Sequence, residues 1–326
     1  MFLGSNQFGN QDRIESILDL IGNTPIMKIN NLKNSRKSGS IWAKLEYLNP
    51  SGSIKDRIAL QMIEDAEKEG KLKKDYAIIE SSSGNTAIAL SFVGGIKGYK
   101  RIIYLPQGVA EEKIKIIKLY GADVHVIDIE KDLSKSSMHG GYVEIPGRIM
   151  CKKLEENNPN IWWARQFSNP SNYKAHMKLA EEIVRQMGDI QIDAFIASVG
   201  TGGTLFGISK VLKKLNPHIQ IISVEPADAE VMTLTNLKVI PGITGGIMTE
   251  ILKSNIVDRF VKLKEEEAIE MYHRLIEEEG IYAGVSSGAN VCIAKKIAEE
   301  LGDKANIVTV LPDRANRYIS STHYVT

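Results

Sequence analysis

Along most of this chain a short apolar run is followed by a turn rich in glycine, serine or asparagine, and then by a stretch with helical periodicity. Residues 76–80 read as a strand that leads through Ser81-Ser82-Ser83-Gly84-Asn85-Thr86 into a helix over 87–96. A strand at 101–105, a helix at 111–120 and a strand at 124–129 follow. The pattern resumes with a strand at 162–166, a helix at 173–187, and a strand at 194–198 that runs into Gly200-Thr201-Gly202-Gly203-Thr204. A helix at 205–215, a strand at 219–224, helices at 265–279 and 289–301, and a strand at 307–311 complete it. Strands separated by helices cannot pair as hairpins. Each crossover helix lays the next strand parallel to the last, so the fold class is α/β with mostly parallel sheets and helices on both faces. Ligands in such sheets sit outside the carboxyl ends of the strands. The segments 81–86, 200–204 and 312–314 all follow strands and are candidates for lining one site.

At 326 residues the chain is long enough for two domains. The polar, turn-rich stretches within 130–160 read as part of the passage between them, which gives two open α/β domains with a cleft. Upstream, a short helix is expected at 14–20, a turn at 22–25, a strand at 41–47 and a helix at 55–69. Lys plus Arg number 41 against 40 Asp plus Glu, so no basic field invites nucleic acid. The two cysteines, Cys151 and Cys292, are too far apart for a zinc spacing or a disulfide framework, and a reducing cytoplasm fits best. No run approaches 18 charge-free apolar residues, and the N-terminus lacks the basic start of a signal peptide.

Gly200 through Thr204 is the sharpest local feature. Glycines between a strand and a helix let successive backbone N–H groups converge on an anion, with the helix dipole adding to the attraction. The spacing is neither GxxxxGK[ST] nor GxGxxG, so a small phosphate handle fits better than a nucleotide; a plain strand-to-helix turn is the alternative. Ser82, Ser83, Gly84, Asn85 and Thr86 put hydroxyls, an amide and backbone N–H groups at another strand end, suited to a carboxylate or simply to capping a helix. Lys55 opens a helix after a Gly/Ser turn. It is either a solvated surface lysine or an amine whose pKa the helix end depresses toward a nucleophile. Ser286 either caps its helix or points a hydroxyl at a ligand. The six histidines show no metal-ligand spacing.

Taken together, these segments resemble the cysteine synthase and cystathionine β-synthase family, pyridoxal-phosphate enzymes of the tryptophan-synthase-β fold type (fold type II). The matching pieces are IGNTP (21–25), KLEYLNPSGSIKDR (44–57), SSSGNTA (81–87), RQFSNPSNYKAH (165–176), SVGTGGTLFG (198–207), VEPADA (224–229), EGIYAGVSSGAN (279–290) and LPDRANRY (311–318), in the family's order over nearly the whole chain. The resemblance implies pyridoxal 5'-phosphate in the interdomain cleft, held by Lys55 as a Schiff-base lysine that later moves the substrate Cα proton. It implies Asn85 at the cofactor's ring oxygen, Gly200, Thr201, Gly202, Gly203 and Thr204 around its phosphate, and Ser286 at the pyridine nitrogen. Ser82, Ser83, Asn85 and Thr86 would grip the substrate α-carboxylate, with Gln166 helping. A small mobile domain at 46–150, a large domain made of 12–45 with 151–326, and a homodimer also follow from the resemblance.

The activity so implied is β-replacement on an O-activated L-serine, with O-acetylserine and sulfide giving cysteine as the leading pair. O-phosphoserine as donor, and cysteine, homocysteine or an amine such as glutamate as acceptor, are the alternatives; a serine/threonine dehydratase is a rival within the fold. Several residues depart from the common cysteine synthase pattern: Ser82 for Thr, Ala87 for Gly, Pro106-Gln107-Gly108 without the usual Met-Ser, the stretch 240–246, and Arg314 after Asp313. The stretch His139-Gly140-Gly141-Tyr142 resembles the subgroup that makes diaminopropionate-type products. Lys238 and Arg314 are candidate cations for a phosphorylated donor, and Thr244 offers a hydroxyl.

Overall fold

The computed structural model describes residues 13–32, 38–127, 145–227, 233–234 and 246–320. Lys238, Thr244 and His139 through Tyr142 lie outside them. The chain enters through a single 3-10 turn (Ile17–Leu20), shorter than the helix expected there, and two strands, β1 (Ile26–Ile29) and β2 (Ser40–Lys44). Helix α1 (Lys55–Lys68), β3 (Ala77–Ser81), α2 (Asn85–Ile96), β4 (Lys100–Pro106), α3 (Glu111–Leu119) and β5 (Asp123–Ile127) follow. Helix α4 (Ile145–Asn157), β6 (Ile161–Trp163), α5 (Pro170–Met187), β7 (Ala194–Ser198), α6 (Gly203–Leu215) and β8 (Gln220–Pro226) come next. The chain continues with α7 (Ile247–Ser254), β9 (Arg259–Leu263), α8 (Glu265–Glu279), α9 (Val285–Leu301) and β10 (Asn306–Val310).

The strands form two sheets. One has the order β5-β4-β3-β6; the other is β1-β2-β10-β7-β8-β9. Every pairing is parallel except β1 with β2. The fold class read from the alternation is therefore the observed one. Strand β3 is buried at all five positions, as a parallel strand covered on both faces must be, which is why it reads as an apolar run rather than an alternation.

Several elements differ from the sequence reading. Residues 145–157, taken as part of a polar passage, form α4, which packs on β3 through a buried face of Ile145, Gly147 and Cys151. Its outer face is solvated, and that face gave the stretch its polar composition. Residue 150, the expected end of the smaller domain, thus falls inside a helix, and the four-stranded sheet takes its edge strand β6 from beyond it. Strands β1 and β9 and helix α7 also escaped the sequence reading; β9 is a half-buried edge strand in a charged stretch.

Helix α1 is the joint between the two sheets. Ile54, just before it, lies in the core of the six-stranded sheet with Phe195, Val308 and Val310. Ile58, Met62 and Ile63, one to two turns later, lie in the other core with Ile78 and Val93. Lys55 stands between them, at the seam.

Candidate active site

A cavity of about 160 Å³ opens at this seam. Its wall includes Lys55, Asn85, Gly200, Thr201, Gly202, Thr204, Ser286, Pro312, Asp313 and Tyr318. The three strand-end segments picked out in the sequence thus meet: Asn85 after β3, the glycine loop after β7, and Pro312-Asp313 after β10. This is the carboxyl-end position that parallel sheets reserve for ligands.

The glycine loop is backed by packed side chains. Gly202 has φ +88, a conformation only glycine adopts without strain, and an added Cβ would lie 2.9 Å from Ile251 Cδ1. At Gly203 the Cβ would meet Asn172 Oδ1 at 1.9 Å. Asn172, fully buried on α5, donates through Nδ2 to the Gln166 carbonyl (2.7 Å) and to Thr201 Oγ1 (3.1 Å). Thr204 Oγ1 lies 3.3 Å from His176 Nε2. Burial, with Lys55 and Arg57 adding to it, pushes His176 well below the usual histidine range, so the ring beside Thr204 is neutral. At Gly200 an added Cβ would meet nothing within 4 Å: the backbone there faces open space. Gly203 stays behind the cavity wall as the close-approach position. In the sequence His176 carries no ligand spacing, and nothing local signals its pairing with Thr204, 28 residues away.

The hydroxyl-rich loop after β3 is differently supported. Gly84, not a serine, occupies the cap position of α2, and no side chain caps it. Ser82 Oγ accepts from the Gly84 N–H at 3.4 Å. Ser82 and Thr86 are buried, Ser83 is half-buried, and Asn85 alone of the loop lines the cavity. Gln166, 3% exposed, donates through Nε2 to the Ser81 carbonyl at 3.2 Å, so it braces the loop from beneath. Deeper still lies Glu80, which accepts from the Ser81 N–H (2.9 Å), Trp163 Nε1 (3.0 Å) and the Gln166 N–H (2.9 Å). Burial pushes its carboxyl up to about 7, against those three donors and the charge of Arg148. Arg148 is itself buried and stacks on the Phe167 ring at 3.4 Å. No signal in the sequence distinguished Glu80 from any strand-end carboxylate.

An ion network and a buried carboxyl fix the turn that carries Lys55. Arg57 forks onto Glu46 (2.6 and 2.9 Å) and onto Glu182 of α5 (2.7 and 2.7 Å). Glu182 also accepts from Lys44 of β2 at 2.8 Å. Burial raises the Glu182 carboxyl, but the bonds and charges of Arg57 and Lys44 outweigh it and hold it at about 2. Asp56, fully buried, accepts from the Ser51 N–H (2.7 Å) and hydroxyl, and burial pushes it up to about 6. Such networks fix geometry more than they add stability, because desolvation offsets most of the attraction. Arg314, a candidate cation from the sequence, donates through Nε to the Tyr47 carbonyl at 2.9 Å and is not part of the cavity wall.

A seam between two parallel α/β units, a lysine on it and a glycine cradle beside it define the class. The model of the pyridoxal-phosphate dependent enzyme family matches residues 17–313, and the chain belongs to that family. It is 38% identical to a cysteine synthase of Staphylococcus aureus over 317 residues, 96% of this chain and 98% of that protein. Its structure matches the cysteine synthase of Entamoeba histolytica with a TM-score of 0.84 at 32% identity, covering 100% of this chain and 94% of that one. It also matches an O-acetylserine dependent cystathionine beta-synthase from Helicobacter pylori with a TM-score of 0.82 at 33% identity, covering 96% and 99%. The chain is thus an enzyme of the cysteine synthase and cystathionine β-synthase group, with two mostly parallel α/β units of PLP fold type II and pyridoxal phosphate as its cofactor. The cavity fits that group. It offers a primary amine, open backbone at Gly200, threonine and serine hydroxyls and one side-chain amide. No helix among the described residues is long and apolar enough to cross a membrane.

Proposed function

We propose that this enzyme catalyses β-replacement on an O-activated L-serine, with O-acetylserine and sulfide giving L-cysteine and acetate. The observation that carries the reading is the single cavity that holds Lys55, Asn85, the glycine loop and Ser286 together. Bound pyridoxal phosphate supplies the electron sink for breaking the Cα–H bond and releasing the β-substituent. Lys55 holds the cofactor, takes the Cα proton and returns it after sulfide adds at Cβ. The backbone N–H groups and hydroxyls of Gly200 through Thr204 bind the phosphate. Ser286 meets the ring nitrogen as a neutral partner, which suits elimination because the carbanion need not persist. The side-chain amide of Asn85 donates to the cofactor's ring oxygen; Ser82, Ser83 and Thr86, with the backbone N–H of Asn85, bind the substrate α-carboxylate, and Gln166 orients their loop through the Ser81 carbonyl.

The smaller, closing unit runs in this reading from 46 through β6 rather than to 150, because β6 completes its sheet. Closure would exclude water from the site. The enzyme acts as a homodimer in the cytoplasm, a compartment consistent with its two buried free cysteines. The relatives differ in acceptor, and a steady-state comparison decides the pair. O-acetylserine and O-phosphoserine are each tested with sulfide, cysteine, homocysteine and glutamate. The highest kcat/KM is expected for O-acetylserine with sulfide. Release of a keto acid as the main product, with sulfide present, would assign a dehydratase instead. The bond from Arg314 to the Tyr47 carbonyl predicts that Arg314→Ala leaves donor preference unchanged.

A further inference from the structure

Asn85 has an amide that can be oriented two ways, and only one of them presents a donor where a cofactor oxygen needs it. An amide carries two N–H donors on nitrogen and only acceptor capacity on oxygen. In this structure both ends are engaged by the segment that follows β10. Asn85 Nδ2 donates to Asp313 Oδ2 at 2.6 Å, and Asn85 Oδ1 accepts from Arg317 Nη1. A carboxylate only accepts and a guanidinium only donates, so the pair admits a single orientation. Turned over, the amide would set its oxygen against the Asp313 carboxylate and its nitrogen against the Arg317 guanidinium.

The pair is itself held. Asp313 and Arg317 are each 1% exposed. Asp313 Oδ2 also accepts from the Tyr318 hydroxyl at 2.7 Å, and Arg317 Nη2 donates to the Ser51 carbonyl in the turn before Lys55. Tyr318 lies under the Lys113 ammonium, 4.7 Å from its ring centroid, which ties the segment to α3. Gly284 is required behind the carboxylate, since an added Cβ would lie 2.2 Å from Asp313 Oδ1. Nδ2 spends one N–H on Asp313. No other partner of Asn85 is found among the described residues, and the second N–H remains for the cavity that Asn85 lines.

We propose that Asp313 and Arg317 are positioning residues for the cofactor: they fix the amide of Asn85 so that its second N–H faces the ring oxygen. The inference rests on the cofactor reading above and adds two residues to it. Charge-assisted bonds make the orientation steep, because buried ionised partners cannot be exchanged for water.

The test is a double-mutant cycle on purified protein, read by titrating cofactor-free enzyme with pyridoxal phosphate and by the position and pH dependence of the bound cofactor's visible band. Asp313→Ala should weaken cofactor binding about tenfold and shift the band, and Asp313→Asn, which keeps an acceptor oxygen, should restore part of both. In an Asn85→Ala background, Asp313→Ala should change neither. If the effect persists undiminished in that background, or if Asp313→Ala leaves both readouts as in wild type, the proposal is overturned. Melting of the cofactor-free variants separates misfolding from misorientation. Should Asp313→Ala not fold, Arg317→Lys takes its place in the same cycle, since it replaces the two guanidinium nitrogens, Nη1 to Asn85 and Nη2 to the Ser51 carbonyl, by a single nitrogen on a shorter fork-less chain. Failure of wild type to bind pyridoxal phosphate at all would instead remove the cofactor reading, so the two failures are distinct.

Discussion

The loops after β7 and after β3 face the same cavity, but they are supported in opposite ways. The glycine loop is packed from behind by Asn172, His176, Ile247 and Ile251, all neutral. Little room is left at Gly202 and Gly203, and of the loop's glycines only Gly200 faces open space. The hydroxyl loop has no capping side chain, and an added Cβ at Gly84 would meet nothing within 4 Å. It is held by polar bonds: Gln166 and the ionisable Glu80 below, Asp313 and Arg317 across the seam. A resident cofactor needs a cradle formed in advance, whereas a substrate that comes and goes needs a loop that can adjust. Close packing suits the first, and exchangeable hydrogen bonds suit the second.

The largest test removes what both loops serve. Lys55→Ala should abolish the covalently held visible band near ~410 nm and lower turnover by about 10⁴-fold. Retention of that band would break the assignment of Lys55. Next comes the network that holds the two units in register. Arg57→Met would leave Glu46 buried without its cation and Glu182 with Lys44 alone, and cost about 3–5 kcal/mol, read as a drop in the urea midpoint. A loss under ~1 kcal/mol would show that α5 and α1 are held by apolar packing alone.

Third, Gly203→Ala should cost about 1–3 kcal/mol by overpacking against Asn172, with cofactor affinity falling as well. Fourth, Glu80 should leave a pH signature under the hydroxyl loop only. Its ordinary value of 4.5 is raised to about 7 in the folded state. Between those values the native protein keeps a proton that the unfolded chain has lost. Its contribution to stability therefore falls as pH rises from about 4.5 to 7, by at most ~1.4 kcal/mol per unit. Asp56, raised to about 6, adds a slope of the same sign at lower pH. Chemical denaturation at stepped pH should show a flatter curve for Glu80→Gln, and an unchanged slope would count against the raised carboxyl of Glu80. The smallest effect is expected at Gly84→Ala: stability within ~0.5 kcal/mol of wild type, with the change appearing in KM for the donor. A large loss of stability there would erase the contrast between the loops.

Much of this was legible from local pattern. The alternation of apolar runs with helical periods specified the parallel α/β class, because a helix between two strands enforces a crossover. The turn residues after those strands marked the segments that line one cavity, and Lys55, Asn85, Gly200 and Ser286 could be named from motifs of a few adjacent residues. What the sequence could not show is what lies beneath and across. The amphipathic pattern of α4 was masked by its solvated face. The bracing of Thr204 by His176, of the Ser81 carbonyl by Gln166 and of Asn85 by Asp313 joins residues 28, 85 and 228 positions apart. Neither partner of such a pair carries a local signature, since one hydrogen bond requires only a donor and an acceptor brought within reach. The sequence determined which strand ends carry the glycines, hydroxyls and amide. Only the packing of two sheets about α1 decided that those ends would share one cavity, because distances across a seam are set by the cores on either side of it.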